Sequence, residues 1–127
     1  FVTTPQTVTT FWFALEDATL DNGCLWVKPG AQHDPLREQY RCDHATGTLS
    51  MQALDRTPWP TTEGSVPLPA AAGTLVVFGG LLPHYSAPNR SARSRLAYTL
   101  HATCGTAAYA PENWLQRSAD FPVRGFL

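Results

Sequence analysis

Four histidines, His33, His44, His84 and His101, are the side chains best suited to hold a metal or move a proton. Taken singly, a histidine is more often packed or exposed than functional. His33 and His44 stand next to Asp34 and Asp43. Neither forms His-x-Asp, the spacing that aims both side chains to one face of a strand, so neither makes a metal pair by itself. His101 falls in an alternating run and reads as a packed or hydrogen-bonded side chain. His84 has a different setting. It follows the apolar run GTLVVF and the turn Gly79-Gly80, and Ser86, two residues on, shares its face. Eleven residues after His84 comes Arg95, at the start of another alternating run. Two neighbouring antiparallel strands would put the histidine near one end and the arginine near the other. An arginine directed into a β-barrel is costly unless an anion meets it. A dicarboxylic acid fits such a site. Its far carboxylate would pair with the guanidinium at two points, while its keto-acid end would chelate a metal held by the histidine. Ala97 and Thr99, on the same strand face as Arg95, are small and leave room for a ligand. Arg95 reads equally well as a surface residue that opens a strand.

The elements that must position these residues are strands. Thr7 to Glu16, TVTTFWFALE, is β-branched and aromatic, without glycine or proline. Cys24 to Lys28 is a short apolar run between Asn22-Gly23 and Pro29-Gly30. Thr48 to Leu54 alternates moderately, and Gly73 to Phe78 is a compact buried-strand run. Ser94 to Thr103 alternates well, with Leu96, Tyr98 and Leu100 on one face and Arg95, Ala97, Thr99 and His101 on the other. Ala31 to Leu68, with Pro35, Pro58, Pro60 and Pro67, is expected to be an irregular insertion. A short helical turn is expected around Pro111 to Arg117, with Pro111 starting it and Glu112 in the first turn. Many short strands with Gly/Pro turns predict an all-β sandwich or barrel.

Composition narrows the function classes. The net charge of -1 gives no electrostatic case for nucleic acid or an anionic membrane. The 127 residues fit one domain, residues 1–127 being a single unit. The charged fraction of 15% is below the usual value of about 25%, as expected of a chain whose surfaces are counted without their covers. Cys24, Cys42 and Cys104 are odd in number, with no Cys-x-x-Cys, so reduced cysteines in an intracellular protein are expected. No run approaches the ~18 apolar residues of a membrane span, and no signal peptide or peroxisomal signal is visible. The expected location is cytoplasmic. A metal-independent hydrolase is disfavoured, because neither a Gly-x-Ser-x-Gly elbow nor a glycine-rich phosphate loop occurs.

The segments GTLVVFGGLLPHYSAPNRSARSRLAYTLHAT and FWFALEDATLDNGCLWVKPG, with the ending PENWLQ at 111 to 116, resemble the phytanoyl-CoA dioxygenase family. The resemblance covers nearly the whole chain and is weakest at Ala31 to Leu68. It implies a double-stranded β-helix, a cupin-like jelly roll, of which this chain would be the C-terminal part. It implies an Fe(II)/2-oxoglutarate-dependent dioxygenase acting on a small-molecule substrate. By the same resemblance His84 would be the distal iron ligand, Arg95 the anchor of the 2-oxoglutarate C5 carboxylate, Ser86 a second hydrogen bond to that carboxylate, and Trp12 a wall of the pocket. Arg93, two residues before Arg95 on the same face, is the alternative anchor. Asn22, Gly23 and Pro29-Gly30 are expected to shape turns. Where the family often has Pro-Gly-Ser-His, this chain has Pro-Gly-Ala-Gln (Pro29 to Gln32).

One histidine cannot hold a catalytic iron, which takes three facial protein ligands. The family's His-x-Asp pair is expected a few residues before Phe1. With His-x-Asp the open iron position suits hydroxylation. With His-x-Gly the vacant place could hold halide, as in related halogenases. The parent protein is therefore expected to be the enzyme, and the 127-residue chain alone to be inactive. The competing reading is a non-catalytic cupin-like binding module or an inactive remnant.

Overall fold

A computed structural model describes residues 1–125. Among the described residues the chain is all-β apart from one 3-10 turn, and its strands pair antiparallel. The strands are β1 (Thr3–Thr4), β2 (Thr9–Ala14), β3 (Leu25–Val27), β4 (Glu38–Asp43), β5 (Thr48–Ala53), β6 (Val66–Leu68), β7 (Leu75–Gly79), β8 (His84–Ser86), β9 (Ala97–Ala102) and β10 (Ala108–Tyr109), with the 3-10 turn at Ala31–His33. Two three-stranded sheets, β7-β2-β9 and β6-β3-β8, form a jelly-roll sandwich. The pairs β1-β10 and β4-β5 flank it.

Register decides what faces the interior. In the first sheet Trp12 lies between Val76 and Thr99, and Thr10 lies between Phe78 and His101. Directly paired residues share a face, so Trp12, Thr10, Phe78, Thr99 and His101 point the same way. In the second sheet Leu25 pairs with Ser86 and Val27 with His84. Trp12, Phe78, Leu25 and Cys24 meet in one buried cluster between the sheets. Burying a side chain such as Phe78 contributes about 1.5–3 kcal/mol.

The five strand runs read from the sequence all contain strands, with shorter bounds. In Ser94 to Thr103 pairing starts only at Ala97. Arg95 thus lies on the approach to β9. The Glu16 carboxylate takes Ser94 Oγ at 2.8 and 2.9 Å and Leu96 N at 2.9 Å, so a side chain occupies the place of a ladder bond.

Two expectations are corrected. Ala31 to Leu68 is not wholly irregular: β4 and β5 form a regular hairpin there, and β6 joins the second sheet. The β4 run EQYRCD is mostly polar, and β5, whose alternation the sequence shows, is exposed throughout, so nothing in the apolar pattern marks β4 as its partner. Its turn is closed by Gly47 N donating to Asp43 O at 2.7 Å, with Gly47 at φ 71. Pro111 and Glu112 lie in one hydrogen-bonded turn, Asn113 N donating to Ala110 O at 3.1 Å, but no helix follows. Asn113 instead bridges Arg41, and its wholly buried side chain binds Val2 twice, accepting from Val2 N and donating to Val2 O, both at 2.8 Å. Cys42 N donates to Glu112 O at 2.9 Å. These contacts tie the segment to β4 and to the start of the described chain.

Candidate functional site

Arg95 reaches inward from the Ser94–Leu96 segment. Its Nε donates to Gly23 O at 3.1 Å, its Nη2 lies 3.3 Å from Ser86 Oγ, and its guanidinium sits 5.9 Å from the centre of the Trp12 ring. Three residues from three separate parts of the chain therefore converge: Trp12 from β2, Ser86 from β8 and Arg95 before β9. Arg95 is half-buried and, among the described residues, forms no ion pair with a carboxylate. The nearby Cys24 supplies no anion either, since burial pushes its thiol pKa up, opposed in part by a hydrogen bond with the Leu68 backbone and by the Arg95 charge. The result is a cation with free donor capacity facing the space between the sheets. That is the chemistry of a carboxylate receptor.

The turn that precedes β3 positions these groups. Gly23 adopts φ +91, and a Cβ there would meet Ala87 O at 2.8 Å, so only glycine fits. Asn22 is buried. Its Oδ1 accepts from Thr19 N at 2.7 Å, and its Nδ2 donates to Asp17 O at 2.8 Å and Ser94 O at 3.2 Å. Asn22 and Gly23 thus shape the turn, as their types suggest. Gly23 also orients Arg95 through its carbonyl, a role that a turn-forming residue does not advertise. Glu16 was missed for a similar reason. Its work depends on meeting Ser94 and Leu96 across about eighty residues of chain.

His84 opens β8 on the same face as Ser86. Its ring lies edge-on to Phe78, 4.8 Å between centres, and its Nδ1 is 2.8 Å from Leu82 O. Donation from Nδ1 to that carbonyl leaves Nε2 with its lone pair outward, the arrangement used by metal-binding histidines. Iron is tested by this geometry. His84 fits as one ligand, but no group of three His, Cys, Asp or Glu side chains able to hold a metal is found among the described residues.

The other candidates lie elsewhere. Arg93 is exposed and does not contact Ser86 or Trp12 among the described residues; its carbonyl accepts from Asn89 Nδ2 at 2.7 Å. His33 is exposed beside Gln32, and His44 Nε2 lies 2.9 Å from Asn113 O. His101 lies 3.1 Å from Thr10 Oγ1 through Nδ1. Burial pushes its pKa down. Thr99 pairs with Trp12 across the sheet.

A profile of the phytanoyl-CoA dioxygenase family matches residues 1–97. The chain is 36% identical over 124 residues to a phytanoyl-CoA dioxygenase domain-containing protein 1 homologue of Dictyostelium discoideum, covering 95% of this chain and 44% of that protein. It is 39% identical over 114 residues to phytanoyl-CoA dioxygenase domain-containing protein 1 of Mus musculus, covering 87% and 38%. The chain thus spans about two fifths of the length of these relatives. Among solved structures it is similar to AviO1 of Streptomyces viridochromogenes, with a TM-score of 0.57 and 28% identity over 83% of this chain and 40% of that one. EvdO2 of Micromonospora carbonacea, solved in complex with 2-oxoglutarate, gives a TM-score of 0.53 and 26% identity over 89% and 47%. By its sequence and its jelly-roll sandwich, the chain belongs to the phytanoyl-CoA dioxygenase family.

Proposed function

We propose that this chain carries the 2-oxoglutarate anchor and one iron ligand of an Fe(II)/2-oxoglutarate-dependent dioxygenase of the hydroxylase type. The observation that carries the reading is the convergence of Arg95, Ser86 and Trp12 around a half-buried cation without a carboxylate partner. The 2-oxoglutarate bound to EvdO2, a structural relative, supports the same choice of anion.

In this reading Arg95 binds the C5 carboxylate of 2-oxoglutarate, and Ser86 Oγ donates a further hydrogen bond to it. Trp12 closes the apolar side of the pocket and keeps water from the guanidinium, which strengthens the ion pair. Gly23 O and Glu16 hold Arg95 in place before the cosubstrate arrives. His84 presents Nε2 to iron, and the remaining ligands come from outside the described residues. Iron, when bound, supplies the oxygen activation that the side chains cannot. Hydroxylation rather than halogenation depends on whether the partner ligands include a carboxylate. The substrate is a small molecule.

The test is binding of 2-oxoglutarate to the chain by calorimetry, with and without ferrous iron and without oxygen. Arg95→Met removes a charge-assisted contact of about 1.5–3 kcal/mol and is expected to weaken binding by roughly ten- to hundredfold. In the intact protein, which supplies the other ligands, His84→Ala is expected to abolish the iron-dependent part only. Equal binding by wild type and Arg95→Met would overturn the assignment. The competing reading, a binding module without catalysis, predicts that the intact protein consumes no 2-oxoglutarate with iron present.

A further inference from the structure

Arg37 is a buried cation that the proposed chemistry does not use. It is 5% exposed, yet it lies in the polar stretch before β4. A charge so placed costs several kcal/mol unless its donors are met, and here they are. Nη2 pairs with Asp34 Oδ2 at 2.6 Å, while Nε donates to Thr57 O at 3.1 Å and Pro58 O at 3.0 Å. The Arg37 carbonyl accepts from Leu54 N at 2.8 Å and Asp55 N at 3.1 Å, and Asp55 Oδ1 accepts from Thr57 N at 2.7 Å. The Asp34 pair holds Arg37 itself, and the other bonds fix the segment that runs out of β5 into Pro58-Trp59-Pro60.

What the clamp presents is an exposed indole. The Arg37 guanidinium lies 5.3 Å from the centre of the Trp59 ring, and Trp59 remains 56% exposed. A large aromatic side chain held open to solvent by a buried arginine is an expensive arrangement for a loop with only a covering task. Its position gives the reason. Two clefts, of about 170 and about 240 Å³, lie against Trp59, and His84 is on the wall of both. The larger also has Lys28, Thr61 and Ser65 on its walls. Lys28 Nζ donates to Glu63 O, and among the described residues no carboxylate pairs with it.

We propose that Trp59 and Lys28 form a substrate-recognition site beside His84, taking a molecule with a flat ring and an acidic group. The ring stacks on the free indole and the acid meets the ammonium. This rests on the oxygenase reading for its role beside His84, but its binding chemistry stands without it. Trp59 is then a specificity-determining residue, and the 31–68 segment is the part of the fold that selects substrate.

The experiment measures binding of 2-naphthoate, a flat ring with a carboxylate, and of octanoate, a flexible chain with the same charge, to the chain by calorimetry. Naphthoate is expected to bind more tightly than octanoate. Trp59→Ala is expected to weaken naphthoate binding by roughly three- to tenfold with little effect on octanoate, and Trp59→Phe to retain most of it. Lys28→Gln is expected to weaken both by roughly two- to fivefold. Trp59 is exposed, so these variants keep the fold, and circular dichroism checks it. Equal affinity for the two probes, or naphthoate binding unchanged by Trp59→Ala, overturns the site. Titration of 2-oxoglutarate into the same samples separates the two readings. Trp59→Ala is expected to leave it unchanged, whereas Arg95→Met weakens it. If only the Arg95 result fails, the ring site stands and the oxygenase reading falls.

Discussion

Arg95 is held in place by its neighbours. Glu16 is the side chain that fixes its segment, and the bonds from Ser94 and Leu96 hold the Glu16 carboxyl below its usual pKa. A carboxylate whose folded pKa is depressed contributes stability above its unfolded value, near 4.5, and loses that contribution as pH falls through the lower folded value. Thermal unfolding of wild type and Glu16→Gln is therefore expected to differ at pH 6 and to converge toward pH 3. A constant difference across that range would show that the carboxylate charge is not the cause. Gly23→Ala acts on the same arginine from the other side. The substitution strains φ +91 and drives a methyl toward Ala87 O, at a cost of about 1–3 kcal/mol in urea unfolding. It is expected to weaken 2-oxoglutarate binding as well, because the Gly23 carbonyl that receives Arg95 Nε must shift.

Strands act as rulers. The β3-β8 register puts His84 and Ser86 on one face with Val27 and Leu25, and β2 puts Trp12 opposite Thr99. A one-residue slip of β8 would turn both polar side chains away from the interior. The ends of the chain are held by a different device. Asn113 substitutes its amide for a strand partner of Val2, and Arg41 adds an ion pair to Glu112 at 3.1 Å. Asn113→Leu leaves the Val2 N–H and C=O without these partners, and a loss of about 2–4 kcal/mol in urea unfolding is expected. Arg41→Gln is expected to cost under about 1 kcal/mol, because that pair is partly exposed.

The molecule as a whole is unevenly covered. One face of the β7-β2-β9 sheet lines the site, while the other carries Leu75, Val77 and Tyr98, 45%, 52% and 56% exposed. An apolar sheet face in water binds apolar probes or other copies. The chain is expected to bind a hydrophobic dye and to self-associate, and Val77→Lys with Tyr98→Lys to reduce both without loss of 2-oxoglutarate binding. Dye fluorescence and sedimentation measure this. No helix among the described residues is long and apolar enough to cross a membrane.

The strand runs were readable because they bury apolar side chains in regular alternation, as in TTFWFA and GTLVVF. Of the β4-β5 hairpin only β5 was readable, from the alternation of Thr48 to Leu54; β4 was not, since it is mostly polar and stands largely in solvent. PENW reads locally as a helix start, but Asn113 is claimed by Val2, more than a hundred residues away. His84, Ser86, Arg95 and Trp12 were singled out from residue type, spacing and resemblance. Their number in the sequence says nothing of Glu16, of the Gly23 carbonyl or of the Arg37 clamp, because each acts through a contact that only chain closure creates. The sequence by itself determined an antiparallel β architecture, a family and a short list of chemical groups, all of which depend on local pattern. Only the tertiary structure decided that Arg95, rather than Arg93, turns inward onto Ser86 across Trp12, because that choice belongs to Glu16 and Gly23 and to the distances between strands.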